Sequence, residues 1–235
     1  MGEDPATAKV DAPSAFVWMA AGAVCFGLMN FFARVSSAHA HWAITACVRA
    51  AVGAVVAAIA AIAQGHPPLV KPTPLLWQRT VLGTTAMGLT FFALSDHRAP
   101  VVAALFSAFA MMTLRKLQKG ENPESIVVHF SAVAAVVMGV IALFTAPGLP
   151  PKESVPPMLA TGLAAGMGQM FMTRAYSLAR AARVSAIGYL AIVVSAALGS
   201  LALHEPLSTH ATLGMCLVIA AGLLIGVLGI RPKTR

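Results

Sequence analysis

Charge is what this sequence has least of. Only 10% of its 235 residues are Asp, Glu, Lys or Arg, and 58% are apolar. A soluble domain carries about 25% charged residues, so a chain this poor in charge cannot cover a water-facing surface. The mean hydropathy of +0.81 agrees. Acidic groups are scarcest: Glu3, Asp4, Asp11, Asp96, Glu121, Glu124, Glu153 and Glu205 are the whole set, and none falls in the middle of an apolar run. That removes the paired intramembrane aspartates of an aspartyl protease and the buried carboxylate through which many coupled carriers relay protons.

Cysteine is also short. Cys25, Cys47 and Cys216 all lie inside apolar runs without CxxC spacing, so they read as small packing residues rather than a disulfide or metal site. There is no GxSxG, Walker A or HExxH motif. HEPLSTH (204–210) sets its two histidines six apart with Pro206 after the Glu, which one helical face cannot present together. His129 reads as a packed or interfacial residue rather than a base. These absences argue against an enzyme and imply no metal and no cofactor. The net charge of +8 and pI near 10.0 come without a basic stripe. They fit the Lys and Arg of cytoplasmic loops better than nucleic acid binding. Residues 1–14 form a polar tail without the pattern of a removable signal peptide, so the first helix is expected to stay as an anchor.

What is present is a series of apolar runs: Ala15–Phe32, Trp42–Ala63, Leu76–Leu94, Val101–Leu114, Ile126–Phe144, Met158–Met172, Val184–Leu203 and Ala211–Ile230. They are continuous rather than alternating, which predicts helices and not barrel strands. Turn-rich breaks at GHPPLVKPTP (65–74), GENPES (120–125) and APGLPPKESVPP (146–157) separate them. The fold class is therefore all-α, a polytopic helical membrane protein of about eight spans in contact with a lipid bilayer.

Charge bias orients it. With the N-terminus inside, eight spans leave only Arg34, Arg98 and Lys152 outside and place Arg49 within a span. The remaining Lys and Arg, among them Arg79, fall on the inner side. Dropping the weak fourth run reverses most of this. The positive-inside rule thus predicts an even count with both termini cytoplasmic. DHR (96–98) becomes an outer turn. Gly162/Gly166 and Gly222/Gly226 form GxxxG pairs that let helices approach closely.

Within the spans, Arg49 is the sharpest polar feature. An arginine at a helix centre costs about 2.5–3.5 kcal/mol on insertion scales, so it should face a cavity or a partner. It reads equally well as a cation for an anionic group of a substrate and as a packing residue satisfied by carbonyls. Asn30, Thr90, Gln169 and Tyr189 are milder candidates for a polar route, with Ser195 behind them.

The stretch from Gly168 to Leu228 resembles the last three helices of EamA-type carriers of the drug/metabolite transporter superfamily. The matching elements are RAYSLA with Arg174 and Tyr176, the HEPLS turn with Glu205 and Pro206, and a Gly-rich final helix. CVRAAVGAVV (47–56) resembles the family's second helix, with Arg49 on its arginine. WQRTVLGTTAMGLTFFALS (77–95) resembles the third, and residues 107–131 the sixth and the loop after it. The family has ten helices in two inverted repeats, whereas here third-helix pattern runs almost directly into sixth-helix pattern. The resemblance thus implies a three-helix first repeat (15–94) lacking the fourth and fifth helices, a five-helix second repeat (99–230) and a basic tail (231–235).

The function so implied is an inner (plasma) membrane permease or exporter of a small organic metabolite, amino acid or drug-like solute. The solute site would lie between the repeats. The lack of a midplane carboxylate points to facilitated movement or exchange. The two absent helices imply a homo-oligomer that closes the gap, or else a shortened relative that no longer transports and acts as a membrane interaction or structural subunit.

Overall fold

A computed structural model of the chain describes residues 13–95, 100–117, 122–179, 181–204 and 209–228. The described residues contain no strand and fold into helices that follow the apolar runs: α1 (Pro13–Ser37), α2 (Trp42–Ala63), α3 (Pro74–Ser95), α4 (Pro100–Leu117), α5 (Pro123–Thr145), α6 (Val155–Leu178), α7 (Ala181–Gly188), α8 (Leu190–Leu203) and α9 (Thr209–Leu228). Four helices, α1, α3, α4 and α5, open on proline. Its missing N–H costs nothing in the first turn, and its fixed φ is already helical. Thr73 caps α3 by accepting from the Leu76 amide at 3.2 Å.

The chain is an all-α helical membrane protein. The segments Pro13–Ser37, Trp42–Ala63, Glu124–Thr145 and Ala186–Leu203 are each long and apolar enough to cross a bilayer. Their outward faces carry what a soluble protein would hide. Val55, Ile59 and Ile62 form an exposed stripe on α2, and Val136, Val140, Leu143 and Phe144 one on α5. The buried faces are built from small residues instead. Side-chain volume toward lipid and alanine toward the interior is the pattern expected where packing, not hydrophobicity, joins helices.

The helices gather into two compact units, and α1 and α6 each contribute to both. One comprises residues 29–170. In it α2 lies along α5, and α3 packs on α4 and also touches α5 and α2. Its core joins Ala33, Ala46, Ala50, Met87, Phe91, Phe130, Ala134 and Met138. A buried hydrogen bond of 3.0 Å ties Ser36 Oγ to Thr45 Oγ1 across the turn between α1 and α2. At the other end Gln64 donates to Glu124 at 3.2 Å, with His66 Nδ1 3.5 Å from the same carboxylate, and Ser125 donates to the Pro67 carbonyl at 2.6 Å. These contacts fasten the end of α2 to the start of α5. The first GxxxG pair is spent inside the chain. A Cβ on Gly162 would lie 2.5 Å from the Val52 Cβ, and one on Gly166 would lie 2.9 Å from the Val56 Cβ. The side-chain surroundings of Gly222 and Gly226 lie outside the described residues, as do the turn at 96–99 and both chain ends.

The other unit comprises residues up to Leu28 and from Phe171 onward. Here α7 packs on α9, Gly27 lets Val194 approach α1, and Trp18 stacks against Phe171 with ring centroids 5.4 Å apart. The run Val184–Leu203, which contains the span Ala186–Leu203, is interrupted at Tyr189, between α7 and α8. Around Tyr189 the backbone tightens: the Tyr189 amide bonds Ala186 O at 3.3 Å and the Ile192 amide bonds Tyr189 O at 3.0 Å. These three-residue bonds make a 3₁₀ turn between α7 and α8.

Candidate functional site

Within the unit of residues 29–170, five helices besides α3 contribute to one cavity of about 170 Å³. A single stripe of α3 forms its floor: Arg79, Gly83, Ala86, Met87, Thr90 and Phe91. These positions recur every three or four residues, as one face of a helix must. Met29 of α1, Arg49 of α2, Ser107, Ala110 and Met111 of α4, Phe130 of α5 and Gln169 of α6 complete the wall. Carbon and thioether surfaces dominate it, and the polar groups are few.

Two of those groups are buried arginines, with exposures of 8% for Arg49 and 5% for Arg79. Neither meets an acid among the described residues. Arg49 donates from Nε to the Met29 sulfur at 3.2 Å and from Nη1 to the Met87 sulfur, and it stands 5.8 Å from the Phe91 ring centroid. Thioether sulfur is a weak acceptor and carries no charge. Arg79 lies 4.5 Å over the Phe130 ring, and its Nε and Nη1 have no hydrogen-bond partner among the described residues. A glycine at 83 makes this possible, because a Cβ there would run into the Arg79 guanidinium and come 2.9 Å from Phe130 Cε2.

The two charges are close. Arg79 reaches along α3 to the level of Gly83, and Arg49 touches Met87, four residues further on. Four residues of α-helix rise roughly 6 Å. Two like charges brought into one apolar cavity repel more strongly than they would in water. The described carboxylate of Glu124 is engaged with Gln64 at the end of α2. Buried charges are ordinarily paired because desolvation is costly. This cavity concentrates two without an opposite charge from the described residues.

Of the residues expected to form a polar route, Arg49, Thr90 and Gln169 line this cavity. Asn30 follows the lining residue Met29 on α1 but is not part of the wall. Tyr189 belongs to the other unit, at the turn before α8. Charge bias places Arg79 on the inner side, and in the structure it is a buried helix residue facing the cavity. His129 is held by Thr80 Oγ1 at 2.9 Å and by the edge of Trp77, as a packed histidine should be. Among the described residues no group of His, Cys, Asp and Glu could hold a metal ion.

The EamA-like transporter family matches residues 98–227, more than half of the chain. The chain belongs to the EamA-like transporter family. Relatives agree. It is 27% identical over 134 residues to an "Uncharacterized transporter" of Helicobacter pylori strain 26695, covering 54% of this chain and 45% of the relative. It is 27% identical over 157 residues to a "Riboflavin transporter" of Rhizobium johnstonii, covering 65% of this chain and 52% of the relative. The chain thus spans about half the length of the curated relatives it matches. No solved structure matches it.

In this EamA-like chain the RAYSLA segment closes α6. Arg174 lies 5.3 Å over the Trp18 ring, and Tyr176 follows in the last turn. Glu205 and Pro206 fall outside the described residues.

Proposed function

We propose that this EamA-like protein is a multi-pass carrier of a small organic solute, a permease or exporter of a metabolite, amino acid or drug-like compound in the inner (plasma) membrane. The observation that carries the reading is the convergence of Arg49, Thr90 and Gln169, from three different helices, on one largely apolar cavity. Ligand sites have this makeup, with apolar walls and a few placed polar groups. Its size suits a small solute, since a cavity of about 150 Å³ accommodates benzene. Family membership and the transporter names of the relatives support the same reading. Eight crossings with both ends cytoplasmic remains the arrangement that charge bias favours, and a second copy of the chain is the simplest closure for a bundle short of two family helices.

The test is flux in proteoliposomes across a panel of amino acids, organic acids, amines and flavins, riboflavin included because one relative is named for it. Saturable flux that disappears in Arg49→Ala, with folding intact, supports the carrier. Flux indistinguishable from empty vesicles across the panel supports a shortened relative serving as a membrane interaction or structural subunit.

A further inference from the structure

Arg79 has no role in the reading above, yet its placement is harder to explain by packing than that of Arg49. It is buried, its Nε and Nη1 bond nothing among the described residues, and it lines the cavity that holds Arg49. A structural arginine in an apolar interior is normally held by carboxylates or carbonyls. Here the described surroundings include a phenyl ring, a glycine and, in the same cavity lining, a second guanidinium.

We infer that Arg49 and Arg79 are the two arms of one oxyanion site, and that the solute is a small organic anion with a compact apolar body. The inference rests on the carrier reading for its biological meaning but not for its chemistry. Two guanidiniums lining one cavity, one over Gly83 and the other on the Met87 sulfur, can each donate to one oxygen of a carboxylate or phosphate group, replacing mutual repulsion with charge-assisted hydrogen bonds. Phe91, Phe130, Met29, Met87 and Met111 line the same space and would pack the apolar part of the ligand, with thioethers adapting to its outline. The two arms come from different helices, α2 and α3, so an anion drawing them together also couples the positions of those helices. The same chemistry could be supplied by the headgroup of an anionic lipid.

The experiment uses the full chain in uncharged detergent, freed of bound lipid, with binding followed by calorimetry and by thermal unfolding. Benzoate, hexanoate and phenyl phosphate are compared with benzamide, hexanamide and benzyl alcohol. At least one anion should bind and raise the melting temperature while its uncharged partner binds about tenfold to hundredfold more weakly. Arg79→Gln and Arg49→Gln should each remove that preference, and Arg79→Lys should restore part of it. Addition of dihexanoyl phosphatidylglycerol separates the sources. Displacement of the bound anion, with the glycerolipid the tighter ligand, assigns the site to a lipid headgroup; a tighter soluble anion assigns it to solute.

Equal binding of charged and uncharged partners throughout overturns the inference, as does a preference for anions that survives both glutamine substitutions. Should the glutamine variants fail to fold, absence of any charge preference in the unsubstituted protein and in Arg79→Lys decides against it. Anion binding without flux removes the carrier and leaves the site. Flux of solutes regardless of charge does the opposite.

Discussion

Arg79 lays its guanidinium over Gly83 of α3, and Arg49 donates to the sulfur of Met87, the residue one helical turn further along the same face. Neither side chain gains a carboxylate from the described residues, and each rests near an aromatic ring, Phe130 and Phe91 respectively. An aromatic face attracts a cation by about 0.5–2 kcal/mol, far less than the cost of withdrawing it from water. The arrangement is therefore a cost to stability, one that the proposed anionic ligand would offset.

Gly83 is the position most sensitive to a single added carbon. The methyl of Gly83→Ala meets the movable end of Arg79 and the Phe130 ring at 2.9 Å. The guanidinium can swing away cheaply, but the ring cannot do so without repacking the core. We expect a loss of about 1–3 kcal/mol in thermal or denaturant unfolding, together with weaker solute binding. Unchanged stability and binding would show that Arg79 does not lie over Gly83.

The contact between α6 and α2 should depend on volume at two positions. In Gly162→Val the new side chain would strike the Val52 Cβ, an atom with no rotation to relieve it. Folded yield and melting temperature should fall sharply. The double variant Gly162→Val/Val52→Gly should recover part of the loss, a coupling that a double-mutant cycle measures directly.

The Ser36–Thr45 hydrogen bond joins two hydroxyls with no exposed surface. Thr45→Val leaves Ser36 Oγ without this partner and should cost about 1–2 kcal/mol. Ser36→Ala/Thr45→Val should cost less than the two single changes added together, because no orphaned hydroxyl remains. Strict additivity in equilibrium unfolding would argue that the bond does not form.

Much of this architecture is legible in the sequence, for reasons visible in particular residues. Trp42–Ala63 was expected and is found unchanged as α2, because a continuous apolar run in lipid must satisfy its own backbone. Arg49 stands out as an arginine flanked by alanine and valine. Arg79 does not, since Trp77, Gln78 and Arg79 read as the interfacial start of a helix. The usable signal was its register: Arg79, Gly83, Met87 and Thr90 share one face, and Thr90 was already a candidate. The break at Tyr189 left no sign in the apolar pattern, since a short 3₁₀ turn changes hydrogen bonding without changing composition.

The most direct measurement combines stability and binding on one variant, Arg49→Met/Arg79→Met. Methionine fits the thioether-rich wall and removes both charges. Replacing buried ionic groups by apolar residues of similar volume is commonly neutral or stabilising by about 1–4 kcal/mol. If the arginines are held for an anionic ligand, the variant melts at or above the temperature of the unsubstituted protein and no longer prefers benzoate, hexanoate or phenyl phosphate over their uncharged partners. A variant that melts well below it, while its folded fraction still discriminates by charge, would contradict the assignment.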